Sequence, residues 1–385
     1  MSLFSRIKKL SLSPYFQPAL LVIICVIVTL QAVSQDEIAN FVIFKTASQR
    51  LLAHQNLYDY ISYGDIYDRY FYAPVFSLLF IPFKLLPVSI SVFLWLLVGA
   101  LSFYYAIQKL QITKVQKNII FFIAFTDLVN SLQNIQTNSL NAAFMLLIFS
   151  SFQGNKPVVA GFFTALCLSI KIYPAAAALL FLFYPNKFRF LIATFLFTLL
   201  LFSLPLLAVP YTYYINSLQI WCKTLVSDTE ISEIWQSSSL IGINYTWFPK
   251  AFNHFYLQLG GLLLVFLPLL KILKKQVDKH FILLYLSLLM IFVVIFNHAA
   301  ESPTYVIAVT GAAIWYSLSG KSSFNNILLV FLFIACILSP TDIFPHWLRK
   351  EYFEPLKIRV IPCVIIWIKI LYELLTYKPK EIIAA

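Results

Sequence analysis

Residues 190–209 read FLIATFLFTLLLFSLPLLAV, a run without a single charge, and it decides the class of fold. A helix rises about 1.5 Å per residue, so a run of roughly 20 apolar residues spans the ~30 Å hydrocarbon core of a bilayer. A second run, ALLVIICVIVTLQAV at 19–33, has the same character. Both are continuous rather than alternating. That separates helical spans from the strands of a membrane barrel, and lipid permits only those two solutions. The whole chain agrees, being 61% hydrophobic and 11% charged over 385 residues, where soluble domains average about half and about a quarter. The fold class expected is an all-α polytopic membrane protein.

At about 20 residues per crossing, spans fall near 15–34, 88–108, 118–132, 139–153, 157–172, 173–186, 190–209, 251–270, 280–297, 303–320, 324–340 and 358–376. Such a bundle of about 12 helices has both termini on one side. With that side cytoplasmic, Lys8, Lys9, Lys114, Lys187, Lys274 and Lys380 lie inside, as the positive-inside rule asks. The first span follows Arg6, Lys8 and Lys9 as a signal peptide would, but no small-x-small cleavage site comes after it, so it reads as a span. The net charge of +12 is therefore a topology signal, not a sign of a nucleic-acid partner. The long connections 35–87, 210–250 and 341–357 fall outside with most of the acids, among them Asp65, Asp228 and Glu230. One domain, 1–385, embedded in a cell (inner) membrane, is expected. Five cysteines at 25, 167, 222, 336 and 363 lack C-x-x-C spacing, which argues against a metal site or a disulfide framework.

The first outer connection is the least lipid-like part. DEIANFVIFKTASQRLLAH, 36–54, sets Ile38, Phe41, Phe44, Ala47, Leu51 and Leu52 at helical spacing opposite Lys45, Ser48, Gln49 and Arg50. It predicts an amphipathic helix in the interface. A tyrosine-rich stretch follows at 56–74, and then VFSLLFIPFKLLP, 75–87, too short and proline-broken to cross, reads as interfacial or re-entrant.

Polar side chains at membrane depth cost a few kcal/mol each and are functional candidates. Gln133, Asn134, Gln136, Asn138 and Asn141 come from SLQNIQTNSLN, Lys171 from SIKIYP, and Asn297, His298, Glu301 and Tyr305 from FNHAAESPTYV. All face the same side as Asp36, Glu37, Asn40 and Lys45. Amides and tyrosines suit sugar hydroxyls, cations suit a phosphate, and a carboxylate accepts a proton. Each has a plainer reading: turn-forming amides, a snorkelling Lys171, a hydrogen-bonded His298, and Asp36 and Glu37 opening a helix. Asp127, inside the third span, pairs with a lysine or ends a polar network.

NFVIFKTASQRLLAHQNLYD, YFYAPVFSLLFIPFKLLP, QNIQTNSLNAAFMLL and SIKIYPAAAALLFLFYP, in that order over roughly 36–186, resemble glycosyltransferase family 87, with a weaker echo in FNHAAESPTYVIAVTGAAIWY. The resemblance implies the GT-C fold, and transfer of a sugar, often mannose, from a polyprenyl phosphate to a hydroxyl of a lipid or glycan acceptor. It assigns no cofactor; the lipid-linked sugar is the donor substrate. The family's Asp-Phe pair, whose aspartate is the base, falls on Asn40 and Phe41. Asparagine accepts no proton in that way, so Asp36 or Glu37 supplies the base, or Glu301 does, or the protein is catalytically altered. Tyr72 and Pro74 match a Tyr-x-Pro-Pro element with Val75 at its last place. Gln136 and Asn138 match Gln-x-Asn, and Lys171 matches Ile-Lys-Pro with Ile172 and Tyr173 inserted before Pro174. The reaction expected is an in-line displacement with inversion, Lys171 stabilising the departing phosphate with His298 or Lys45, and without a metal ion. The alternatives are a transporter or flippase, or a non-catalytic assembly partner.

Overall fold

The computed structural model describes residues 15–64, 66–227, 236–248, 252–273, 277–320 and 322–378. Lys8, Lys9, Lys274, Lys380, Arg6, Asp65, Asp228 and Glu230, used above for topology, lie outside the described residues. The chain is an all-α polytopic membrane protein, its described strands being the short antiparallel pair β1 (Ile61–Tyr63) and β2 (Ile66–Asp68) in the tyrosine-rich stretch.

The helices are α1 (Phe16–Ser34), α2 (Ala39–Leu52), α3 (Pro74–Leu79), α4 (Val88–Lys109), α5 (Lys114–Gln133), α6 (Asn138–Gln153), α7 (Pro157–Ile170) and α8 (Lys187–Ser203). They continue with α9 (Tyr211–Ser227), α10 (Leu240–Trp247), α11 (His254–Phe266), α12 (Lys279–Ile295), α13 (Tyr305–Leu318), α14 (Ser323–Phe331) and α15 (Val360–Thr376). A 3₁₀ helix, Tyr173–Phe183, joins α7 to α8. Among the described residues four helical stretches are long and apolar enough to cross a membrane: Phe16–Ser34, Val88–Lys109, Lys187–Leu207 and His254–Ile272. The other expected crossings are helical but shorter or more polar. α7, at 14 residues, is only about 21 Å long, and the expected span 173–186 is the 11-residue 3₁₀ helix.

Burial explains how short helices live in such a protein. α6, α12 and α13 are buried on nearly all sides, so they form the centre of the bundle. Around them, α8 shows Phe188, Leu191, Ile192, Phe195, Leu196 and Leu199 to the outside. An apolar face of that extent belongs against lipid. Without a hydrophobic force between helices, close approach depends on small residues. At Gly161 of α7 a Cβ would come 2.8 Å from the Thr194 backbone nitrogen of α8, and at Gly311 of α13 one would come 2.9 Å from the Ser287 carbonyl of α12.

The segment 35–87 holds the helix expected at 36–54, with differences in detail. α2 does bury Phe41, Phe44, Ala47 and Leu51, but also Ser48 from the supposed polar face, while Leu52 is exposed. Its apolar face meets α3, and Ser48 donates to the Ser77 carbonyl at 2.7 Å. Asp36 and Glu37 do not open α2; they close α1. Asp36 takes a left-handed conformation (φ 58°) and the Glu37 N–H reaches the Ala32 carbonyl at 2.8 Å, a Schellman stop. The segment 75–87 forms α3 and a further turn, Ile81–Lys84, and does not cross.

Candidate functional site

Five of the polar residues singled out from sequence come together at one end of the bundle. α6 begins at Asn138, just after a sharp turn in which Ile135 adopts φ 53°. A β-branched residue there is strained by roughly 1–3 kcal/mol, and the turn is held because Trp95 of α4 donates to the Ile135 carbonyl at 3.1 Å. It aims Gln136 across the bundle. The Gln136 amide donates to a Glu301 carboxylate oxygen at 2.6 Å, and Asn138 donates back to Gln136 at 2.5 Å. The Tyr173 hydroxyl, from the start of the 3₁₀ helix, donates to Asn138 at 3.0 Å.

Lys171, where α7 ends in an extended residue, lies with its ammonium 5.4 Å from the centre of the Tyr72 ring and close enough to Glu301 to feel its charge. Among the described residues it makes no ion pair. Tyr72 is fixed by an aromatic cluster, edge-on to Phe44 of α2 at 5.1 Å and against Phe76 of α3 at 4.9 Å. The outcome is a carboxylate, a cation, two amides and two tyrosines facing one another.

A second chain of bonds adjoins this one. Asn40 donates to the Asn134 carbonyl at 2.9 Å, Asn134 donates to the Asn130 carbonyl at 2.8 Å, and Asn130 donates to Ser302 at 3.0 Å. Beneath it sits an ion pair that sequence reading left half-drawn. Asp127 of α5 accepts from Arg359, one residue before α15, at 2.7 Å, and Arg359 also donates to the Ser302 carbonyl at 3.1 Å. Its guanidinium lies 3.9 Å over the Tyr305 ring. The turn carrying Glu301 is thus bolted to two helices from behind.

The remaining candidates lie elsewhere. Asp36 accepts from the Tyr63 hydroxyl, a bond that pushes the phenol up to about 12. Glu37 and Gln133 are exposed, and Lys45 is half-buried on α2 without an ion pair among the described residues. Asn134 serves the adjoining chain. The His298 ring is 6.5 Å from that of His254, and Tyr305 is fully buried with its hydroxyl donated to the Ser238 carbonyl at 2.8 Å. Tyr305 therefore belongs to the bolt rather than to the open cluster. Sequence reasoning missed Tyr173, Asn130, Ser302 and Arg359. Asn130 and Arg359 left a signal, as polar side chains inside the expected spans 118–132 and 358–376.

No curated protein matches the chain. Family comparison matches residues 70–340, which hold Tyr72, Gln136, Asn138, Lys171 and Glu301 but leave Asp36, Glu37, Asn40 and Lys45 outside, reaching further toward the C-terminus than the motifs at 36–186. The matching model is glycosyltransferase family 87, it covers most of the sequence, and the chain belongs to that family.

Proposed function

We propose that this membrane glycosyltransferase moves a hexose, mannose-like, from a polyprenyl-phosphate donor to a hydroxyl of a lipid or glycan acceptor on the extracytoplasmic face of a cell membrane. The observation that carries the reading is the 2.6 Å contact between Gln136 and Glu301, beside Lys171. Glu301 has one oxygen held by that amide, which fixes its orientation, and it stands where the amides can hold sugar hydroxyls.

Glu301 takes the proton of the acceptor hydroxyl as its oxygen attacks the anomeric carbon. The bond from that carbon to the phosphate oxygen breaks, and its electron pair leaves on the phosphate. Lys171 meets the growing negative charge, and a cation already positioned there stabilises it as it forms. Attack opposite the leaving group inverts the anomeric centre, and phosphate needs no acid to depart.

The second reading keeps Asp36 or Glu37 as base, favoured by the bond that ties α2 to the site through Asn40 and Asn134. Transfer of label from polyprenyl-phosphate [³H]mannose into membrane lipid and glycan fractions separates the two. Glu301→Gln should lower transfer by about 10²–10⁴-fold, the range for losing a general base, with Asp36→Asn and Glu37→Gln near wild type. Unaltered transfer in Glu301→Gln removes it as base, and a collapse in Asp36→Asn moves the base to the turn between α1 and α2.

A further inference from the structure

Two thiols outside the site lie against each other. The Sγ atoms of Cys336 and Cys363 are 3.7 Å apart, and both residues are fully buried. Cys336 sits in a π-helical stretch, Leu332–Leu338, that continues α14, and Cys363 sits in the first turn of α15. A widened π turn is a local departure that places one residue out of helical register, here against α15. The nearness was invisible in the sequence, where 27 positions separate the pair.

We propose that Cys336 and Cys363 form a disulfide in the mature protein, a covalent modification that staples α14 to α15. The sulfurs need to close from 3.7 Å to about 2.05 Å, within reach of side-chain rotation. The oxidant is the disulfide of a thiol–disulfide exchange catalyst on the extracytoplasmic side. Two thiols lose two protons and two electrons, one S–S bond forms, and the catalyst leaves as a dithiol. Because the pair is wholly buried in the packed bundle, exchange precedes the docking of α15, and the finished bond resists reductant. The staple lies one helical turn from Arg359, so it also fixes the residue that bolts the Glu301 turn. The proposal rests on the orientation argued under Proposed function, which puts these helix ends in the oxidising compartment.

The test uses the full-length protein, trapped from cells with acid and N-ethylmaleimide in denaturant and mapped by peptide mass. Labels are expected on Cys25, Cys167 and Cys222, with Cys336 and Cys363 recovered as one linked peptide pair that takes label only after reduction. Cys336→Ser should free Cys363 for labelling. Label on both Cys336 and Cys363 in the unreduced sample overturns the proposal. Adding diamide to the cells during synthesis, so that oxidant meets the chain before α15 docks, then tells which premise failed: a diamide-made link means the packing is right and the compartment reducing, so the orientation falls, whereas no link means the packing is wrong.

Discussion

Asp127→Leu tests the bolt behind the site directly. In the intact protein the two side chains are 2% and 7% exposed and 2.7 Å apart. Removing one partner of a buried pair costs about 3–5 kcal/mol, because the other charge stays desolvated. Here the guanidinium keeps the Ser302 carbonyl and the face of Tyr305, so the low end, about 3 kcal/mol, is expected. With an unfolding entropy of about 2.1 cal/mol/K per residue, a chain of 385 residues loses about 4 °C in melting temperature. The double variant Asp127→Leu, Arg359→Met removes both charges together with their orphaned atoms, Asp127 Oδ2 and Arg359 Nε. Apolar replacement of a whole buried pair is often neutral, so it should recover about half the loss, the rest being the bonds to Ser302. Fluorescence-detected gel filtration after heating in detergent reads all three proteins. Should the single variant melt within about 1 °C of wild type, or the double melt lower than the single, the pair is not the anchor drawn here.

Lys171→Met should lower sugar transfer by about 10²-fold or more while leaving the melting temperature near wild type, with Lys171→Arg keeping part of the rate; unchanged transfer in the methionine variant would remove it as the phosphate partner. Gly161→Ala forces a methyl group to within 2.8 Å of the Thr194 nitrogen and 2.9 Å of the Ala193 Cβ, and overpacking of this kind costs about 1–3 kcal/mol. A melting temperature equal to wild type would mean α7 and α8 cross less closely. Incubation with a chelator should leave transfer unchanged, and its abolition would show that a divalent ion takes part.

The class of fold was legible because lipid leaves so few options: a charge-free run like 190–209 has one stable form. What each apolar face would meet was not legible. α2 carries a stripe that fits an interface as well as a protein groove, and only the neighbouring α3, reached after a tyrosine-rich hairpin, decides between them. Span length misled at 173–186 for a related reason. The 11-residue 3₁₀ helix there buries Pro174, Ala177 and Leu180 and leaves its other residues half-buried, and at about 2 Å per residue it does not reach across the bilayer, so apolarity there did not mark a full span. Within the site, the elements carrying Gln136, Asn138, Lys171 and Glu301 were visible because polar groups at membrane depth are expensive, and Tyr72 was visible through the family resemblance. Their mates were not. Arg359 and Asp127 are 232 positions apart, and nothing local marks them as partners. The left-handed Ile135 was equally hidden, since a β-branched residue disfavours that conformation and only the grip of Trp95 on its carbonyl keeps it there.

The placement of polarity bears on the choice between transfer and transport. Glu301 precedes α13 by a few residues, Gln136 and Asn138 stand at the start of α6, and Lys171 ends α7, so the cluster occupies one end of the central helices. Further along those helices the chemistry changes. In α12 the buried Tyr285 and Ser287 donate to the Val265 and Gly311 carbonyls, and in α13 Thr310 donates to the Val306 carbonyl. These three hydroxyls are spent on backbone carbonyls, whereas a transporter gathers its polar groups near the midplane and reaches them from both faces. A site confined to one end suits a substrate whose greasy part never leaves the bilayer. In the proposed reaction a polyprenyl chain would stay in lipid along the exposed outer helices while its phosphate and sugar tip sideways into the cluster, and only the sugar would change partners.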